Sequence, residues 1–149
     1  MNKKRPYPPA KVAAKGKRPG TEKFADLACR RWKSFTKLGT WVVRDMRGKP
    51  GVLSVHATGR ALDLGYTDRK DVMAAIRWFV TYNTALGVTL INDYQFGQYG
   101  RTWICDRQDW KIHQSDVLGS RGAWIHIELD GWAADDPVGL EKIWRSLPR

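Results

Sequence analysis

Cysteine is scarce in this chain: two in 149 residues, Cys29 and Cys105. Two cysteines cannot build a disulfide framework, and neither belongs to a C-x-x-C motif, which speaks against a thiolate metal site. The simplest reading of both is a buried, reduced thiol, with a single disulfide as the alternative. Acidic residues are few as well, 15 against 26 Lys and Arg, for a formal net charge of +11. No stretch is long and apolar enough to span a membrane. The basic N-terminus runs into Pro6, Pro8, Pro9 and Lys11 and not into an apolar segment, so no secretory signal is expected. There is no internal repeat.

What is present suits one soluble domain. The length allows a real core, and a hydrophobic content of 42% fits a globular chain. The charge is uneven: residues 1–23 hold eight Lys and Arg against Glu22 alone. Residues 1–20 are Lys, Pro, Ala and Gly without a period and read as a basic flexible arm, with residues 21–149 as a single domain. Such an arm either only solvates the chain or attracts a polyanion. The eight Trp are scattered through core-forming segments and not interleaved with the basic arm, which argues against a nucleic-acid module.

Apolar spacing predicts a helix from Gly20 or Thr21 to Gly39, through Phe24, Leu27, Ala28 and Phe35. A β-rich run follows over residues 40–44, then turn chemistry at Gly48 to Gly51. Residues 60–66 read as a strand with Ala61, Asp63 and Gly65 on one face and Leu62 and Leu64 on the other. A helix is expected over residues 69–86, ended by Gly87, and a strand over 88–92. Residues 94–103 read as a hairpin entering Ile104 and Cys105, and residues 106–122 as a polar loop. Residues 123–129 form a strand on which Trp124, His126 and Glu128 share a face. Asp136 caps a last helix with Pro137 in its first turn. The sum is α+β: a small antiparallel sheet with helices packed on one side.

The chemistry concentrates in Ser54-Val55-His56-Ala57-Thr58-Gly59-Arg60-Ala61-Leu62-Asp63. A chain turning at Gly59 can bring His56 and Asp63 onto one ion. Zinc accepts imidazole nitrogen and carboxylate oxygen, and a catalytic site takes a third protein ligand while leaving one position open. His126, in Trp124-Ile125-His126-Ile127-Glu128, is the good candidate for the third. His113, in the loop, reads as a surface residue.

The pattern Ser54-x-His56-x-x-Gly59-x-Ala61-x-Asp63, with His126 in a late strand, resembles the D-Ala-D-Ala carboxypeptidase-type zinc peptidases. The likeness runs from about Arg44 to Leu129. It implies a hedgehog/D-Ala-D-Ala peptidase-like fold and Zn2+ on His56, Asp63 and His126. The implied activity is hydrolysis of a bond in the peptidoglycan stem peptide or cross-link: an L-Ala-D-Glu or D-Ala endopeptidase, or a D-Ala-D-Ala carboxypeptidase. Many relatives carry an acid three residues before the last histidine, where this chain has Ala123. Others carry one two residues after it, which Glu128 matches, either as the base or as a partner that orients His126. Asp116 in the loop is a second candidate base. Arg44 and Arg47 precede the motif, and Arg44 is the choice for stabilising an oxyanion or holding a substrate carboxylate. Ser54 matches the family serine, for substrate binding or as a turn cap. Without a signal, such a protein acts as an endolysin released from the host cytoplasm to the wall, or rides on a phage virion. Peptidoglycan is then the partner, with an anionic wall polymer on the basic arm. The alternative is a non-catalytic virion or structural protein that keeps the fold.

Overall fold

The computed structural model describes residues 2–46 and 48–149; Arg47, named above beside Arg44, lies outside them. In chain order come α1 (Pro19–Arg31), β1 (Thr36–Gly39), β2 (Asp45–Met46), β3 (Lys49–Leu53), β4 (Ala61–Gly65), α2 (Arg69–Thr81), α3 (Asn83–Leu86), β5 (Val88–Asp93), β6 (Arg101–Ile104), β7 (Asp109–Ile112), β8 (Trp124–Leu129), α4 (Gly131–Asp135) and α5 (Pro137–Ser146). The architecture is α+β. Six strands form one sheet in the order β1-β4-β8-β5-β6-β7, and β2 and β3 make a separate hairpin. Every pairing is antiparallel.

Strand alternation divides the sheet into two faces of different chemistry. Leu62, Leu64, Ile91, Ile125 and Ile127 are fully buried and join Phe24, Phe79 and Trp144 of the helices in one core. Aromatic edges knit the helical layer, with Trp144 against Phe24 at 5.3 Å and against Trp78 at 4.7 Å. α1 packs tightly on α4 at Gly20, where a Cβ would stand 1.8 Å from the Ala133 carbonyl oxygen. The opposite face carries Asp63, Asn92, His126 and Glu128, aligned by the register Asp63↔His126 and His126↔Asn92.

Several local expectations are corrected. The first helix ends at Arg31, because Trp32 leaves it with extended backbone (φ −114°, ψ 104°). Residues 36–39 instead form β1 on the sheet edge, and residues 40–44 carry no ladder. The helix expected over 69–86 breaks at Tyr82 into α2 and α3, and Gly87 ends the second with a left-handed φ of 72°. The loop expected over 106–122 contains β7, paired with β6. Both cysteines are free thiols. Among the described residues no helix is long and apolar enough to cross a membrane.

The N-terminal segment also departs from a free arm. The Asn2 side-chain amide donates to the Thr81 carbonyl (2.7 Å), and the Arg5 guanidinium bonds Asp130 (3.1 Å) and Asn83 (2.9 Å). Pro8 accepts from Arg60 (2.8 Å), Ala14 N–H donates to Ala57 (2.8 Å), and Arg18 grips Asp135 (2.7 Å). Residues 2–18 are therefore a strap along the domain. Its affinity for the body comes from ionic and carbonyl contacts distant in sequence, which composition does not reveal.

Candidate metal centre

Three segments bring the site together. Ser54 Oγ accepts from the His56 backbone N–H (3.3 Å), capping a single 3-10 turn over Val55–Thr58. That turn ends at Gly59 with φ 74°, a conformation costly for residues with a Cβ. A Cβ there would also lie 2.8 Å from the Arg18 side chain. The reversal feeds β4, whose alternation turns Asp63 away from the core. β8 pairs with β4 so that His126 stands directly opposite Asp63.

His56 Nε2 lies 3.2 Å from Asp63 Oδ2, and His126 Nδ1 lies 3.0 Å from Asp63 Oδ1. The two imidazoles meet edge to face, 4.9 Å between centroids. One donor atom from each of His56, Asp63 and His126 lies within 4.8 Å of the others. Two imidazole nitrogens and one carboxylate oxygen make a donor set suited to a divalent transition ion. Both histidines are buried, while the Asp63 side chain stays 20% exposed and opens the group to solvent. The three residues picked from sequence are thus brought together, and the triad can hold a metal ion.

Glu128 stands on the far side of His126. Its Oε2 lies 2.7 Å from His126 Nε2, and its Oε1 accepts from the Tyr7 hydroxyl of the strap. Both oxygens are occupied in a site only 6% exposed. A histidine held this way has its second nitrogen, Nδ1, oriented toward the ligand position, the usual arrangement behind a metal-binding imidazole.

The charges respond to this arrangement. Burial alone would lower the His126 pKa, but hydrogen bonds to Asp63 and Glu128 outweigh it and raise it to about 10. Burial would raise Asp63, yet its bonds to His126 and His56 bring it down to about 2. Glu128 is likewise lowered, its bond to His126 overcoming burial. Tyr7 is raised by burial and by the neighbouring Glu128 charge, so it stays a proton donor.

Other candidates stand at varying distance. The Arg44 carbonyl accepts from Ser54 N–H (3.0 Å), which sets Arg44 across the chain from the motif. Its charge reaches Tyr94, a buried phenol whose pKa is raised by burial and by Asp63. Asp116 is exposed in the loop before β8, and no hydrogen bond or ion pair joins it to the triad. His113 is not a simple surface residue: its Nε2 meets Thr102 Oγ1 (2.8 Å), which donates to Asn92 (2.7 Å). Thr102, Asn92, His126 and Asp63 are successive register partners across β6, β5, β8 and β4. Sequence reasoning missed Tyr7, Tyr94, Asn92 and Thr102. Alternation along β5 and β6 was the one available signal, since polar residues there mark the face away from the core.

No protein-family model, no curated protein and no solved structure matches this chain.

Proposed function

We propose that the chain is a zinc-dependent peptidoglycan peptidase of the hedgehog/D-Ala-D-Ala peptidase-like type. The reaction is hydrolysis of a stem-peptide or cross-link bond beside a D-centre, an L-Ala-D-Glu or D-Ala endopeptidase rather than a carboxypeptidase. The observation that carries this reading is the convergence of His56 Nε2, His126 Nδ1 and the Asp63 carboxylate from three segments. Two of the three lie within a motif that resembles that family's signature.

His56, Asp63 and His126 would hold the ion. When bound, zinc supplies a Lewis acid that activates water and polarises a carbonyl. Glu128 keeps His126 in the tautomer that offers Nδ1, and Tyr7 keeps Glu128 in place. Arg44 brings positive charge to the rim, where an oxyanion or a substrate carboxylate gathers. Ser54 acts by capping the turn that presents His56. With Glu128 committed to His126 and Tyr7, Asp116 is the carboxylate to test as general base. In this reading the protein works on the cell wall, as an endolysin or on a virion.

The test is digestion of purified peptidoglycan with the zinc-loaded protein, with and without chelator, and identification of new termini by mass spectrometry. Chelator-sensitive appearance of one defined terminus is expected. A second reading, a metal-binding virion or structural protein without catalysis, is favoured by one feature: both oxygens of Glu128 are engaged, and Ala123 occupies the other family position for an acid. Unchanged peptidoglycan from metal-replete protein selects that reading.

A further inference from the structure

On the helical layer, remote from the triad, a cleft of about 320 Å³ is lined by Leu27, Arg30, Arg31, Trp144, Arg145 and Arg149. Arg31 and Arg149 also line an adjoining groove that adds Arg77. Five guanidinium groups therefore border one continuous depression. Arg30, Arg77 and Arg145 are exposed.

Intramolecular contacts account for only part of this grouping: Arg31 stacks on Trp32 and Trp78, and Arg145 pairs with Glu141. Arg30 and Arg31 end α1, and Arg145 ends α5, so a favourable helix-end dipole explains one cation per helix. It does not explain five cations in one depression. Among the described residues, Arg145 has an acid partner, Glu141 at 2.7 Å, while Arg30, Arg31 and Arg77 have none. The two arginines of the strap, by contrast, each meet an acid, Arg5 pairing with Asp130 and Arg18 with Asp135.

We infer that this cleft is a binding site for a phosphodiester polymer, with the arginines pairing successive phosphates. The occupant is a polyol-phosphate chain of the cell wall, a choice that rests on the peptidase reading above. The indoles bordering the cleft, Trp32, Trp78 and Trp144, are all buried, and Arg31 stacks on the first two at 4.5 and 4.3 Å. No open indole face remains there for nucleic-acid bases to stack on. Phosphate contacts alone suit a polymer without bases. The cleft would hold the protein on the wall while the opposite face of the sheet works on the peptide.

The experiment uses the full, zinc-loaded chain and synthetic poly(glycerol phosphate) as probe, with binding followed calorimetrically across a salt series. Binding that weakens with salt is expected. The triple substitution Arg30→Gln/Arg77→Gln/Arg145→Gln should reduce affinity at low salt by at least about tenfold and lower the salt slope by about two, at ~0.7 per lost contact. The single exposed change Arg30→Gln, which does not risk the fold, should lose about a third of that slope. Lys11→Gln/Lys15→Gln in the strap should bind as the parent does. Equal binding by the parent and both arginine variants overturns the site. A single-stranded or duplex DNA oligonucleotide bound more tightly through the same arginines overturns the assignment in favour of nucleic acid. Cleavage of a soluble stem peptide is read in parallel. Polymer binding without cleavage counts against the peptidase reading and leaves the cleft standing; cleavage without polymer binding does the reverse.

Discussion

Both ring nitrogens of His126 face carboxylates, Asp63 at 3.0 Å and Glu128 at 2.7 Å. Only Nδ1 shares its partner with His56, so the two carboxylates have different work. In the proposed reading Asp63 belongs to the ligand set and Glu128 to the support behind it. Glu128→Gln is therefore expected to lower zinc affinity by about 10–100-fold, with turnover largely restored by added zinc. If Asp116 swings over the site as the base, Asp116→Asn retains zinc and loses about 10²–10⁴-fold in turnover, and near-parent turnover excludes it. Zinc titration and turnover of a defined muropeptide measure both. A large turnover loss in Glu128→Gln at saturating zinc would return the base to Glu128. Tyr7→Phe leaves one Glu128 oxygen without its donor and should weaken zinc binding in the same direction, by less.

At the scale of elements, the parts that present the ligands were the legible ones. β4 and β8 alternate strictly, Leu62 and Leu64 or Ile125 and Ile127 inward, Asp63 or His126 outward, so residue type alone assigns each face. β1 and β7 were not legible, because they are short edge strands with mostly exposed side chains and no apolar period. The strap was not legible for a different reason. Its partners Asp130, Glu128 and Thr81 lie far along the chain, and local composition says nothing of them. Removing residues 1–18 accordingly does more than remove charge. It strips Asp130, Glu128 and Ala57 of partners, at about 1–3 kcal/mol for each buried group left unsatisfied. The truncated protein is expected to melt well below the parent, by ten degrees or so at ~2–4 °C per kcal/mol. Unchanged melting would mean that the strap rests on the domain without stabilising it.

For the whole molecule, the triad ties folding, protons and metal into one equilibrium with a defined sign in pH. In the zinc-free protein His126 has its pKa raised from 6.5 to about 10. Its contribution to stability is complete below pH 6.5 and disappears as pH rises through about 10. Asp63 is shifted the other way, from 3.8 to about 2, so its contribution is present above 3.8 and disappears as pH falls through about 2. These groups therefore favour the zinc-free fold most between about pH 4 and 6.5, with a decline on the alkaline side. Zinc bound as proposed would reverse the alkaline trend. To use Nδ1 it must displace the His126 proton, while Nε2–H stays on Glu128, so affinity should rise about tenfold per pH unit until that proton is lost. Thermal melts of chelated and zinc-saturated protein from pH 6 to 10 should diverge, the first falling and the second gaining on it. The gap reaches about 2.7 kcal/mol where free zinc is 100 times Kd. His126→Gln should flatten the zinc-dependent gap. Calorimetry in buffers of different ionisation enthalpy should count about one proton released per zinc near neutrality. A gap independent of pH, with no proton released, would mean that zinc binds without His126.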